Sequence, residues 1–118
     1  MECLQQWTGR GASRTDEKAD YRRREAERAI TMQVGNAYDA VLSARSTLVT
    51  ASDRVASAQR AFSLVQRHFA EGLATPVEFL SARTAFTSAA INQVITRFTF
   101  ATRVVELERT AALRTLPK

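Results

Sequence analysis

Glycine and proline are scarce in this chain, four and two in 118 residues, and cysteine, histidine and tryptophan occur once each. So few glycines and prolines exclude a sheet protein with many tight turns and leave long, seldom-interrupted helices. A single cysteine, Cys3, excludes an intrachain disulfide. Apolar runs are missing too: MECLQQWTGRG at the start has none long enough for a signal peptide. No stretch approaches the ~20 apolar residues of a membrane-spanning helix. Taken literally, the chain has no route out of the cytoplasm. Charge of one sign is not in excess locally. The net +5 invites a nucleic-acid or acidic partner, but the densest basic run, Arg10 to Arg28, is interleaved with Asp16, Glu17, Asp20, Glu25 and Glu27. This reads first as a solvated helix face, with a phosphate-binding stripe as the alternative.

What is present is helical periodicity on either side of one break. Residues 1–15 contain Gly9 and Gly11 without periodicity and read as an irregular N-terminal segment, with Trp7 as a packing residue. From about Asp16 the composition becomes helical, and no proline intervenes before Pro76. Starting at Ile30, alternating steps of four and three reach Val34, Ala37, Val41, Ala44, Leu48, Ala51, Val55, Ala58, Phe62, Val65 and Phe69. A seam of this kind marks helices packed with a left-handed supercoil. Gly35 and Asn36 are its weakest interior point, where a bend or a close backbone approach is expected.

The break is Phe69 to Leu80, FAEGLATPVEFL. Gly72 is suited to the left-handed conformation that ends a helix. Thr75 is placed to cap the next helix, with Pro76 at its first position and Glu78 completing a capping box. Stop and start signals this close together specify a reversal. The expected fold is all-α, a long antiparallel two-helix coiled-coil hairpin over residues 16–116: a helix from about 16 to 71, a turn at 72–75, and a helix from about 76 to 115, ending near Leu113 to Leu116 before Pro117.

In the second helix the same stepping from Leu80 gives Thr84, Thr87, Ile91, Val94, Phe98, Ala101, Val105, Glu108 and Ala112. A second apolar set, Phe79, Ala82, Phe86, Ala89 and Ala90, lies to one side. Folding the two seams about the turn sets Phe69 opposite Leu80, Ala58 opposite Ile91, Val55 opposite Val94, Ala51 opposite Phe98 and Leu48 opposite Ala101, large residues mostly meeting small ones. In that register Ala51→Phe overpacks against Phe98. The second stripe on helix two implies further helices alongside, by self-association or from a partner.

No constellation for chemistry stands out. His68 has no spaced His, Cys or carboxylate neighbours and reads as a surface or helix-end residue. Asp53, Arg54, Glu106, Glu108 and Arg109 are helix-surface charges without paired-carboxylate geometry. The phenylalanines at helical spacing read as core. Phosphate loops, nucleophile elbows and zinc spacings are absent, so neither an enzyme nor a cofactor or metal site is expected.

Taken in order, several short motifs resemble a family. Ala37-Tyr38 in the ascending helix, Phe69 three residues before Gly72, the run Glu78-Phe79-Leu80, and Ala82-Arg83 resemble the periplasmic hairpin of the outer membrane efflux proteins, the TolC-like exit ducts. The ending VVELERTAAL resembles the close of that family's second repeat, with Ala111-Ala112 where a glycine is usual. The early GRGASRTDEKADYRRREAERAI resembles the lead from barrel strands into that repeat's long helix. The likeness spans about residues 9–116 and implies a C-terminal fragment of a trimeric multidrug-efflux or type I secretion duct of the outer membrane and periplasm. Barrel strands, a first repeat and a signal peptide would then be missing from it. It further implies passive transport, a periplasmic adaptor (membrane fusion) protein and an inner membrane pump as partners, no nucleic acid, no cofactor, and adaptor contacts at Gly72, Leu73, Ala74, Thr75 and Glu78. The alternatives are a cytoplasmic coiled-coil scaffold that self-associates and a basic helical nucleic-acid binder.

Overall fold

In the computed structural model the described residues are 2–111, with side chains from Ser13 onward. They form two helices, α1 (Glu2–Ala70) and α2 (Pro76–Thr110), joined by the turn at 71–75. No strand occurs among the described residues, and the all-α hairpin expected from the periodicity is the fold.

The N-terminal boundary differs from expectation. α1 starts at Glu2 rather than near Asp16, so residues 2–15 are helical and not irregular. A glycine inside a helix costs about 1 kcal/mol, and only proline forbids continuation; Gly9 and Gly11 therefore weaken this stretch without breaking it. Among the described residues α2 runs to Thr110, with Ala111 as its cap (φ −81°, ψ −1°) donating its N–H to the carbonyls of Leu107 and Arg109. The expected end at Leu113 to Leu116 lies outside the described residues, as do the side chains of Cys3 and Trp7.

The chain divides into two units, 1–36 and 37–118. In the first, the side chains from Ser13 to Gln33 are exposed except for Asp20, and Ile30, the expected first seam position, is exposed with them. Charge pairing along the helix surface marks this stretch. Asp20 accepts from Arg24 at 2.8 Å and from Arg23 at 3.2 Å, while Arg23 also reaches Glu27 at 3.8 Å. Such exposed pairs contribute a few tenths of a kcal/mol each.

The second unit is the hairpin proper. Many of its threonines would weaken an isolated helix through their β-branched side chains. Here their hydroxyls donate back to the carbonyl four residues earlier, as at Thr47, Thr84, Thr87, Thr96 and Thr99, so each is satisfied inside its own helix. Gly35, at the end of the first unit, lies within continuous helix, and a Cβ there would meet nothing within 4 Å. The close backbone approach expected at Gly35 is therefore absent among the described residues.

On α1 every seam position from Ala37 to Val65 is half-buried or buried, Ala51 most of all at 5% exposure. On α2 the expected seam is not the packed face. Leu80, Ile91, Val94, Ala101 and Phe98 are exposed, Phe98 to 72%. The packed positions stand one or two residues earlier: Phe79, Ala82, Phe86, Ala89, Gln93, Thr96 and Phe100. One residue of offset turns a helix by about 100°, so α2 presents the set that the sequence placed to one side. Polar members hid this face. Thr96 is only 8% exposed, yet its hydroxyl is already bonded to the Asn92 carbonyl at 2.7 Å, which removes the penalty for burying it. Ala51 therefore does not face Phe98.

Candidate functional site

The turn is built by the capping chemistry read from the sequence. Gly72 has φ +75°. Its N–H donates to the Phe69 carbonyl at 3.1 Å, and the Leu73 N–H donates to the His68 carbonyl at 2.7 Å. Those two bonds form a Schellman motif, which satisfies the last carbonyls of α1 and needs a left-handed residue at Gly72. His68 thus serves the turn through its backbone.

Two residues on, Thr75 takes an extended conformation (φ −79°, ψ 155°) and caps α2. Its hydroxyl accepts the Glu78 N–H at 3.2 Å and donates to the Glu78 carboxylate at 2.9 Å, while its own N–H donates to that carboxylate at 2.7 Å. The backbone bond from Thr75, followed by the hydroxyl bond, holds the Glu78 carboxyl below its ordinary pKa of 4.5, with desolvation opposing weakly. Glu78 is fixed in its charged form at the positive end of the helix dipole.

Beneath the turn the helices are fastened by rings. Phe69 stacks on Phe79 at 4.9 Å, Phe62 meets Phe79 at 5.6 Å and lies parallel to Phe86 at 6.0 Å. Offset pairs of this kind contribute about 0.5–1.5 kcal/mol each beyond the area they bury. Phe69 therefore faces Phe79, one position before the Leu80 expected from antiparallel counting. Both caps and the ring cluster leave the turn little freedom.

Of the five expected tip residues, Gly72, Leu73, Thr75 and Glu78 are exposed and Ala74 is half-buried. The most prominent apolar side chains are Leu73 at 73% and Val77 at 77% exposure. Val77 was not singled out from sequence. It follows Pro76 in the first turn of α2, where a side chain projects past the helix end, and that position was its only signal. The end of the hairpin is thus a doubly capped reversal carrying two apolar side chains, with Glu78 engaged by Thr75.

Elsewhere the described residues hold no group of three or more His, Cys, Asp or Glu able to bind a metal, and no helix long and apolar enough to cross a membrane. Glu106 and Arg109 form an exposed pair at 3.5 Å. A groove of about 290 Å³ runs between the helices, lined by Ala40, Ser43, Ala44, Thr47, Thr96, Thr99 and Arg103. Its threonine hydroxyls are all turned back onto their own helices.

Compared with known proteins, residues 5–112 match the family model for outer membrane efflux protein. No curated protein and no solved structure matches the chain.

Proposed function

The chain belongs to the outer membrane efflux protein family, and from that membership we propose that its hairpin is a wall segment of the family's duct whose turn docks an adaptor. The family is one of outer membrane transport proteins rather than enzymes. In this reading the hairpin stands in the periplasm within a trimer of the full-length protein. A periplasmic adaptor of the membrane fusion type meets the turn, and an inner membrane pump stands behind it. Transport through the duct is passive and uses no cofactor; multidrug efflux and type I secretion are both roles such a duct serves.

The observation that carries this reading is the turn. Docking end to end is favoured by a surface that is ordered before contact, because ordering a loop on binding opposes association. The Schellman motif, the capping box and the stacked phenylalanines supply that order, and Leu73 and Val77 supply the apolar contact. The bonds to Thr75 give Glu78 and Thr75 a shaping role, so direct contact falls to Leu73, Val77 and the backbone at Gly72. A photo-crosslinking residue at position 73 or 77, in cells that make this chain, is expected to trap a hairpin-bearing adaptor of the envelope; one at Arg60, on the exposed flank of α1, is not. Failure at both tip positions, or equal trapping from Arg60, refutes the docking assignment.

A further inference from the structure

Charge is distributed along the hairpin in blocks. Residues 40–70 and 79–105, which make up its shaft, hold seven arginines and a single acid, Asp53. The remaining acids of the hairpin stand at its ends, Glu71 and Glu78 at the turn and Asp39, Glu106 and Glu108 at the other. Among the described residues none of the seven arginines forms an ion pair; Arg60 and Arg67 bond only to Ser57 and to the Ser63 carbonyl, which carry no charge. Counted outward from the Phe62–Phe86 and Phe69–Phe79 pairs, Arg103 lies level with Arg45, Arg97 level with Ala51 and Arg83 level with Val65. Arginines therefore follow one another along the shaft at steps of no more than about 9 Å. That is within the screening length of about 10 Å at 0.1 M salt, so their fields add.

Both faces that the two helices share carry these arginines. Arg45, Arg83 and Arg97 each follow a packed position, Ala44, Ala82 and Thr96, and so stand on one face. Arg54 precedes the packed Val55 and stands on the other, where Arg103 lines the groove with Thr47 and Thr99. Asp53 is on neither: it is at heptad spacing with Arg60 and Arg67, on the outer side of α1. We propose that the shaft is a binding surface for multivalent organic anions, molecules carrying several sulfonate, phosphate or carboxylate groups, and that these are the class of solute the duct passes. The assignment of cargo rests on the duct reading, whereas the binding surface does not. A wall of side-by-side helices turns one shared face to the passage and the other away, and either choice presents unpaired arginines without an acid. In a trimer each arginine recurs three times around the passage, where low-dielectric walls focus the field. The guanidinium suits the task, because its planar fork pairs with two oxygens of one oxyanion and keeps its charge at any working pH.

Fluorescence anisotropy of pyranine, an aromatic trisulfonate, titrated with the full chain tests the surface. Binding is expected at about 0.01 M salt and should weaken steeply toward about 0.1 M. Inorganic tripolyphosphate should displace the dye, which shows that its charges and not its rings hold it. The triple variant Arg45→Gln, Arg83→Gln, Arg97→Gln should bind at least about threefold more weakly, and the double variant Arg54→Gln, Arg103→Gln should also bind more weakly. Helicity should be retained in both, because these side chains make no bond within the described residues. Arg14→Gln, Lys18→Gln, Arg22→Gln removes as much charge from the first unit, where Asp16, Glu17 and Asp20 stand between them, and should leave binding within about twofold. No binding at low salt, no displacement by tripolyphosphate, or a loss confined to the first-unit variant would each overturn the surface. In cells whose duct carries this hairpin, the triple variant should slow export of sulfonated dyes relative to cationic ones; an unchanged ratio overturns the cargo assignment. Trapping at positions 73 and 77 without pyranine binding refutes the anion surface alone, and pyranine binding without trapping refutes the docking alone.

Discussion

Gly35 and Gly72 respond oppositely to the same added methyl group. Neither Cβ would meet another atom within 4 Å, so backbone conformation alone decides. Gly35 is helical, where alanine is better by about 0.5–1 kcal/mol. Gly72 is left-handed, where alanine is worse by about 1–2 kcal/mol. In urea melts Gly35→Ala should raise the midpoint and Gly72→Ala should lower it. Glu78 gives the residue scale its pH dependence. Its folded pKa lies below its unfolded value, so its stabilisation is complete above about 4.5 and is lost as pH falls through the folded value. Thermal melts between pH 6 and 3 should show this loss, and Glu78→Gln, which keeps an acceptor without the titration, should flatten it.

At the scale of the element, what distinguishes the two faces of α2 is packing and not apolarity. Phe86 stacks on Phe62, so Phe86→Ala should cost about 2–3 kcal/mol. Leu80, the more obvious seam residue by its place in the sequence pattern, is exposed, and Leu80→Ala should stay within about 0.5 kcal/mol. Equal costs in denaturant melts would mean that the α2 face is wrongly assigned. Ala51→Phe should still destabilise by about 1–3 kcal/mol, because Ala51 is buried against the facing helix. The expected clash with Phe98 is not the cause, since Phe98 points away.

At the scale of the whole molecule, burial is thin and uneven. Among the described residues only Ala51 and Thr96 are buried, too little core to hold every segment equally. Residues 13–33, exposed almost throughout and supported by surface ion pairs, should exchange their amide hydrogens much faster than residues 44–62 of the packed seam. Hydrogen exchange followed by peptide mass spectrometry reads this directly; similar protection in both segments would contradict it.

The sequence by itself determined the reversal and the packed face of α1. Gly72, Thr75, Pro76 and Glu78 act through their own backbones and nearest neighbours, so their roles follow from residue identity and spacing. The α1 seam is an unbroken heptad of apolar side chains with no competing set, and its motifs also carried the likeness to the efflux family. Only the tertiary structure decided which stripe of α2 turns inward. Two stripes one or two residues apart offered similar apolarity, and the choice fell to the one whose phenylalanines interlock with Phe62 and Phe69. That interlock is a property of two helices together, and no periodicity within one of them encodes it.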